Sequence, residues 1–180
     1  MTPGPHCPPI MNLKLDHNQF GSRGVNALVS GIQCNENLRH LQMKYCGIDK
    51  DGARALFELL IFSKSKLEIL DITGNHLRNE GCKVVLNGVS VAKELKKIHL
   101  ADNQFNEDAE MLDAIRNCMA RNKSLARYDF QYNDLKDAGK YILLYFYSYH
   151  FDSFSCNLLH RYAGTRRSRQ NCPCCGNRGF

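Results

Sequence analysis

The chain has 180 residues, of which 43% are hydrophobic and 23% are charged, and its formal net charge is +6. This composition and a mean hydropathy of −0.41 are those of a soluble globular protein and exclude a disordered, collagen-like or membrane-embedded chain. No apolar run approaches the roughly 18 residues of a membrane-spanning helix, so no membrane partner is expected. The length accommodates one ordinary domain, or one domain and a tail.

Residues 1–9 contain four of the five prolines and predict a disordered lead-in without a secretory signal. The chain has nine cysteines, four of which (Cys34, Cys46, Cys82 and Cys118) occur singly within periodic apolar sequence. This placement predicts reduced, partly buried thiols rather than a disulfide framework. We therefore expect an intracellular, cytoplasmic protein.

Basic residues are concentrated near the end of the chain. Residues 10–140 carry 19 basic and 17 acidic side chains, whereas residues 141–180 carry five arginines and one acid. Because the body is nearly neutral, a nucleic-acid partner is unlikely on charge grounds.

Five copies of the pattern LxxLxLxxN begin at Ile10, Leu38, Leu67, Leu95 and Leu125, and successive copies start 28, 29, 28 and 30 residues apart. The alternating LxL core predicts a short strand with one buried face. A small residue follows six positions after the Asn and is expected to mark the start of a helix packed close to the strand layer. These small residues are Gly24, Gly52, Gly81, Ala109 and Gly139.

The asparagine position predicts a structural ladder, because its side-chain amide can bond backbone groups of the neighbouring coil. A thiol replaces the amide in the second copy. The predicted ladder residues are Asn18, Cys46, Asn75, Asn103 and Asn133.

The repeat resembles the ribonuclease-inhibitor type of the leucine-rich repeat family over residues 10–147. The resemblance implies an α/β solenoid of about five coils, a horseshoe fragment with parallel strands on the concave face and helices on the convex face. It also implies a role in binding proteins. Members of the family include the Ran GTPase-activating protein, innate-immune receptors and cytoskeletal or ciliary repeat proteins.

Strand residues that point away from the core are expected to form the binding face, with the helical side or the loops as the alternative. One edge of this face is basic, and the opposite edge carries two tyrosines and acidic residues. The candidate protein-binding residues are Arg39, His40, Lys44, Tyr45, Lys96, Lys97, His99, Arg127 and Tyr132.

No catalytic motif is present, and no metal or cofactor is expected. His99 falls between Asp71 and Asp129 in the central column of the face, but no nucleophile accompanies it. We therefore predict a non-catalytic interaction scaffold that binds another protein. The alternatives are an activator of a small GTPase and a subunit of a cytoskeletal or ciliary assembly.

The last part of the chain departs from the repeat. Residues 141–151 are apolar or aromatic on every side, and residues 148–180 predict an irregular, basic, cysteine-containing tail. Because a solenoid buries its apolar faces only against neighbouring coils, we expect end-to-end association, a larger complex or a longer array.

Overall fold

The computed structural model describes residues 9–33, 35–137 and 139, and in these residues strands and helices alternate. The elements are β1 (Asn12–Lys14), α1 (Gly21–Ile32), β2 (His40–Gln42), α2 (Lys50–Ile61), β3 (Ile69–Asp71), α3 (Arg78–Val91), β4 (Lys97–His99), α4 (Ala109–Arg121) and β5 (Arg127–Asp129). They belong to one compact unit that ends at Asp134, and Leu135 begins a second unit. The predicted α/β solenoid architecture is confirmed. The predicted domain boundaries at residues 9 and 147 stay predictions.

The five strands form one parallel sheet in the order β1-β2-β3-β4-β5. Equivalent repeat positions are paired throughout: Leu13 faces Leu41, and Leu70 faces Ile98. Because the strands follow one another in chain order and parallel crossovers share one hand, all four described helices lie in one layer on one side of the sheet. The repeat register in the sequence therefore becomes the register of the sheet.

The core lies between the sheet and the helices. The central strand residues Leu41, Leu70 and Ile98 have no exposed surface, and neither do Val85 of α3 and Ile115 of α4. Burying an aliphatic side chain of this size contributes about 1.5–3 kcal/mol to folding. The coils are numbered 1 to 5 below, in the order of the five repeat copies. Coil 1, which begins at Ile10, is less covered, because Leu13 and Leu15 are only half-buried.

The first three helices begin earlier than the sequence predicts, at Gly21, Lys50 and Arg78 rather than at the small residues three or two positions later. The small residue serves close packing instead. A Cβ added to Gly81 would stand 3.1 Å from Cα of Lys50 in the preceding coil. The prediction holds for α4, which begins at Ala109 after Asp108 caps its N-terminus by accepting from the Met111 amide at 2.7 Å.

Asparagine side chains connect consecutive coils. Oδ1 of Asn75 accepts from the backbone amides of Cys46 and Ile48 at 3.1 and 3.0 Å, and Nδ2 donates to the carbonyl of Met43 at 2.9 Å. Asn133 bonds coil 4 in the same way through the amide of Asn103 and the carbonyl of Leu100. Each bond satisfies a buried backbone group that no strand partner reaches.

The ladder bond between coils 1 and 2 is weaker than the others, although Asp16 and Gln19 of coil 1 also bond the backbone of coil 2. Sγ of Cys46 donates to the carbonyl of Leu15 at 3.1 Å, and burial raises the pKa of this thiol, so that it stays protonated. Asn18, which is exposed, donates within its own coil to the carbonyl of Leu15. A thiol is a weaker donor than an amide.

The three cysteines of the described coils, Cys46, Cys82 and Cys118, are buried and unpaired. Burial raises the pKa of the Cys118 thiol to about 12 and raises that of Cys82 further. Cys34 lies outside the described residues, as do the aromatic run 141–151 and the tail. In the described part of the chain, no helix combines the length and apolarity needed to cross a membrane.

Candidate protein-binding face

The surface of the sheet that points away from the helices is called the strand face below. Alternation along each strand places two residues of every strand on this face. In one row, His40, Ile69, Lys97 and Arg127 follow one another from β2 to β5. In the next row, Gln42, Asp71, His99 and Asp129 do the same. Strands stacked about 4.8 Å apart make a rigid strip about 20 Å long.

Part of the basic edge predicted from the sequence is neutralised within the protein. Glu68 accepts from Lys96 at 2.9 Å and lies 3.8 Å from the guanidinium of Arg39. The hydrogen bond from Lys96 lowers the pKa of Glu68, so the carboxylate stays charged between its two basic neighbours. The single carboxylate of Glu68 therefore offsets about half of the positive charge that Arg39 and Lys96 bring to the face.

Lys44 is also paired. Its Nζ lies 3.1 Å from Oδ2 of Asp71, whose side chain is only 7% exposed. The other oxygen of Asp71 accepts from the backbone amide and the hydroxyl of Thr73. The hydrogen bond to Asp71 raises the pKa of Lys44. This part of the face is an internal polar network rather than an open cationic site.

Lys97 and Arg127 differ from these cations. They stand directly opposite each other on β4 and β5, and Arg127 is exposed. Within residues 9–33, 35–137 and 139, neither forms an ion pair. Lys14 of β1 is exposed and also lacks an ion pair among these residues, but it stands opposite the neutral Gln42. Within the described strands, Lys97 and Arg127 are the two such cations that face each other on neighbouring strands.

The central row gives His99 a single carboxylate neighbour rather than two. Nδ1 of His99 lies 3.7 Å from Oδ2 of Asp129, whereas Asp71 is held by Lys44 and Thr73. Among the described residues, no three metal-ligating side chains cluster. The arrangement holds a histidine and a carboxylate side by side on an open sheet surface.

Two tyrosines occupy equivalent turns after β2 and β5. Tyr45 and Tyr132 both adopt positive φ, 52° and 57°, and their exposed fractions are 40% and 82%. The ring of Tyr45 stacks on His17 at 5.0 Å, and Gly74 provides space on its other side. The equivalent residues His17, Gly74 and Asp102 also have positive φ, so this backbone conformation belongs to the repeat. Exposed tyrosines are frequent at protein interfaces.

The helical side offers a different surface. An open depression of about 620 Å³ lies between α1, α2 and α3, and residues such as Asn26, Arg54 and Glu58 line it. Its charged lining residues are of both signs, and Lys50 bonds Glu80 at 3.0 Å. This mixed lining contains no aromatic residue and no pair of adjacent unpaired cations like that on the strand face.

Two asparagines important for the fold escaped the sequence reasoning. Oδ1 of buried Asn122 accepts from the amides of Ser124 and Leu125 at 2.8 Å. Buried Asn35 donates to the carbonyl of Ile10 at 3.1 Å. The shared spacing Asn-x-x-Leu before a repeat core, present in copies 2 and 5, is the signal that could have found them.

The nine candidate residues thus divide into groups. Four of them have a carboxylate partner: Arg39 and Lys96 contact Glu68, Lys44 contacts Asp71, and His99 contacts Asp129. The other five candidates have no ion pair in the described coils: His40, Tyr45, Lys97, Arg127 and Tyr132.

Comparison with known proteins agrees with this architecture. The sequence profile of the family described as Leucine Rich repeat matches residues 34–57 and 63–86. The tropomodulin C-terminal domain of Caenorhabditis elegans superimposes with a TM-score of 0.68 at 14% identity, covering 87% of this chain and 90% of that domain. Together with the five parallel coils, these findings establish that the chain belongs to the leucine-rich repeat family.

Two curated relatives are similar in sequence. NACHT, LRR and PYD domains-containing protein 12 of Mus musculus is 30% identical over 141 residues, which cover 74% of this chain and 13% of that protein. RAN GTPase-activating protein 2 of Arabidopsis thaliana is 27% identical over 96 residues, which cover 53% of this chain and 17% of that protein. The chain thus spans a small part of the length of these relatives. The ribonuclease-inhibitor subtype is compatible with these matches and stays a prediction.

Proposed function

We propose that the chain is a non-catalytic interaction scaffold that binds another protein through its strand face. One observation carries the proposal. The five-stranded surface presents Lys97 and Arg127 side by side, neither in an ion pair within the described residues, and Tyr132 follows β5 with 82% of its surface exposed. Arginine and tyrosine are the residue types that contribute most at protein interfaces. Because strand pairing fixes the backbone positions of Lys97 and Arg127, the ordering cost of binding at these two residues falls on their side chains.

The test is site-specific photo-crosslinking in the native cell type. Photoreactive residues replace Asn12 or Tyr132 on the strand side and, as controls, Asn26 or Glu58 on the helical side. We expect one protein to be crosslinked from the strand side and absent from the helical controls. The purified partner is then titrated against wild-type chain. A partner reached only from Asn26 and Glu58 would place the site on the helices and contradict the proposal.

GTPase activation is a second candidate, supported by the similarity to RAN GTPase-activating protein 2. It is tested by adding the chain to GTP-loaded small GTPases and following phosphate release. The scaffold proposal expects the intrinsic rate in every case. Acceleration by the chain would favour the activator instead. For the cytoskeletal alternative, the 14% identity to the tropomodulin domain supports the fold alone.

We also propose an intracellular location. The buried, unpaired thiols of Cys46, Cys82 and Cys118 support it, since reduced cysteines persist in the cytosol. Fractionation with antibodies against the chain tests this proposal, and recovery from the secreted fraction would contradict it.

A further inference from the structure

The Lys97–Arg127 pair is an electrostatic mismatch within the strand face. Like charges directly opposite each other on neighbouring strands repel. By contrast, Arg39 and Lys96 share Glu68, and Lys44 pairs with Asp71. An anionic group placed over Lys97 and Arg127 would relieve repulsion that no ion pair in the described coils offsets.

The surroundings of the pair restrict what that anion is. Glu68 and Asp129 stand on the same face one strand or one row away, and Asp102 lies in the turn after β4. A polyanion such as nucleic acid, or an anionic membrane surface, would be pressed against these carboxylates as well. One or two carboxylates presented on a peptide segment would meet the cations without this repulsion.

The spacing of the row favours a helix over an extended segment. Ile69, Lys97 and Arg127 stand on three consecutive strands, so two strand spacings of about 4.8 Å separate the first from the last. In an α-helix, residues i, i+4 and i+7 lie on one face, and the rise along the axis is about 6 Å from i to i+4 and about 4.5 Å from i+4 to i+7. These two steps are close to the two strand spacings. Same-face residues of an extended chain are about 6.7 Å apart and lose register with the strands.

Ile69 adds an apolar contact to the charged ones. It is half-buried, follows His40 in the row and is the neighbour of Lys97. We propose, building on the protein-binding function above, that these coils dock an acidic amphipathic helix of the partner. Its axis crosses the strands, an apolar side chain lies on Ile69, and carboxylates at the next two turns lie over Lys97 and Arg127.

The probe is a short alanine-based helical peptide with Leu at i and Glu at i+4 and i+7, titrated against the full chain. A peptide with Gln at both Glu positions, and one whose helix is broken by proline, are the peptide controls. The protein variants are K97E/R127E and K93E/K123E. The second changes the net charge equally at exposed loop lysines away from the row.

We expect the Glu peptide to bind the wild type and K93E/K123E alike, and K97E/R127E at least about tenfold more weakly. A peptide with Lys at both positions should recover binding to K97E/R127E. Equal weakening by K93E/K123E, or equal binding of the proline peptide, would overturn the proposal. So would an oligonucleotide that binds more tightly with the same dependence on Lys97 and Arg127.

The two proposals fail separately. If the peptide does not bind while a partner still crosslinks from Tyr132, the acidic helix is wrong and the scaffold stands. If the partner is reached only from the helical side, the scaffold proposal itself is wrong. Circular dichroism of each variant confirms that a loss of binding does not reflect unfolding.

Discussion

The ring of Tyr45 lies against Gly74 so closely that a Cβ added to the glycine would overlap Cε1 of the tyrosine. Gly74 also has φ +71°, a conformation that glycine adopts without strain. On the opposite side, His17 stacks on the same ring. One exposed aromatic side chain is thus positioned by the coil before it and the coil after it.

Replacing Gly74 with alanine should therefore destabilise the protein and displace Tyr45. We expect the free energy of unfolding to fall by about 1–2 kcal/mol, mainly because alanine is strained in the left-handed backbone, with a smaller loss because the exposed ring of Tyr45 must move aside. Urea unfolding measures the loss. In a Tyr45→Ala background the clash is absent, so the same substitution should cost less. Equal losses in both backgrounds would show that moving the ring aside costs no measurable stability, which would contradict its tight packing between His17 and Gly74.

Two helical glycines should respond oppositely to alanine. At Gly31 a Cβ meets nothing within 4 Å, so Gly31→Ala should stabilise the protein by about 0.5–1 kcal/mol through the helix propensity of alanine. At Gly81 the Cβ would lie 3.1 Å from the backbone of Lys50, so Gly81→Ala should destabilise by about 1 kcal/mol. Thermal unfolding of both variants decides, and a stabilised Gly81→Ala would refute the close helix packing.

The asparagine ladder predicts a large difference between two equivalent repeat positions. Asn75→Ala leaves the buried amides of Cys46 and Ile48 without their acceptor, which should cost about 2–5 kcal/mol. Asn18→Ala removes an exposed side chain bonded within its own coil and should cost about 0.5 kcal/mol or less. The comparison uses denaturant midpoints. Similar costs for the two substitutions would contradict the ladder.

The Lys44–Asp71 pair predicts a dependence on alkaline pH. Because folding raises the pKa of Lys44, the pair stabilises the protein fully below the unfolded lysine pKa of about 10.4 and loses this contribution as pH rises through the folded pKa. Partial exposure of Lys44 limits the contribution to below about 1 kcal/mol. Urea unfolding at a series of pH values should show the stability difference between wild type and Lys44→Met shrinking as pH rises above about 10.4. A difference that grows over this range would be inconsistent with the pair.

The fold followed from the sequence because periodicity fixes register. Once Leu41 and Leu70 occupy the same repeat position, their strands pair in line, and Lys97 must stand beside Arg127. The pairing of charges did not follow. Glu68 turns toward Lys96 and Arg39 through side-chain conformations that spacing does not determine.

Helix boundaries were also hidden, for a related reason. The small residue at Gly81 is required by the approach of the Lys50 backbone, not by the start of α3 at Arg78. In coil 2 the cap is Asp49, whose carboxylate accepts from the amide of Asp51. Capping is a local bond, whereas the repeat pattern records contacts between coils, so the pattern locates the contact and misses the boundary.

Cys46 gives the described stack a direction of unravelling. The amides of Leu15 and His17 donate to carbonyls of coil 2. The side chain that joins coils 1 and 2 beside them is the thiol of Cys46, whereas the equivalent side chain between coils 2 and 3 is the amide of Asn75. A one-dimensional array opens first at its weakest seam. If coil 1 separates first, coils 2 to 5 keep their register, and the Lys97–Arg127 row stays intact at the other end of the sheet.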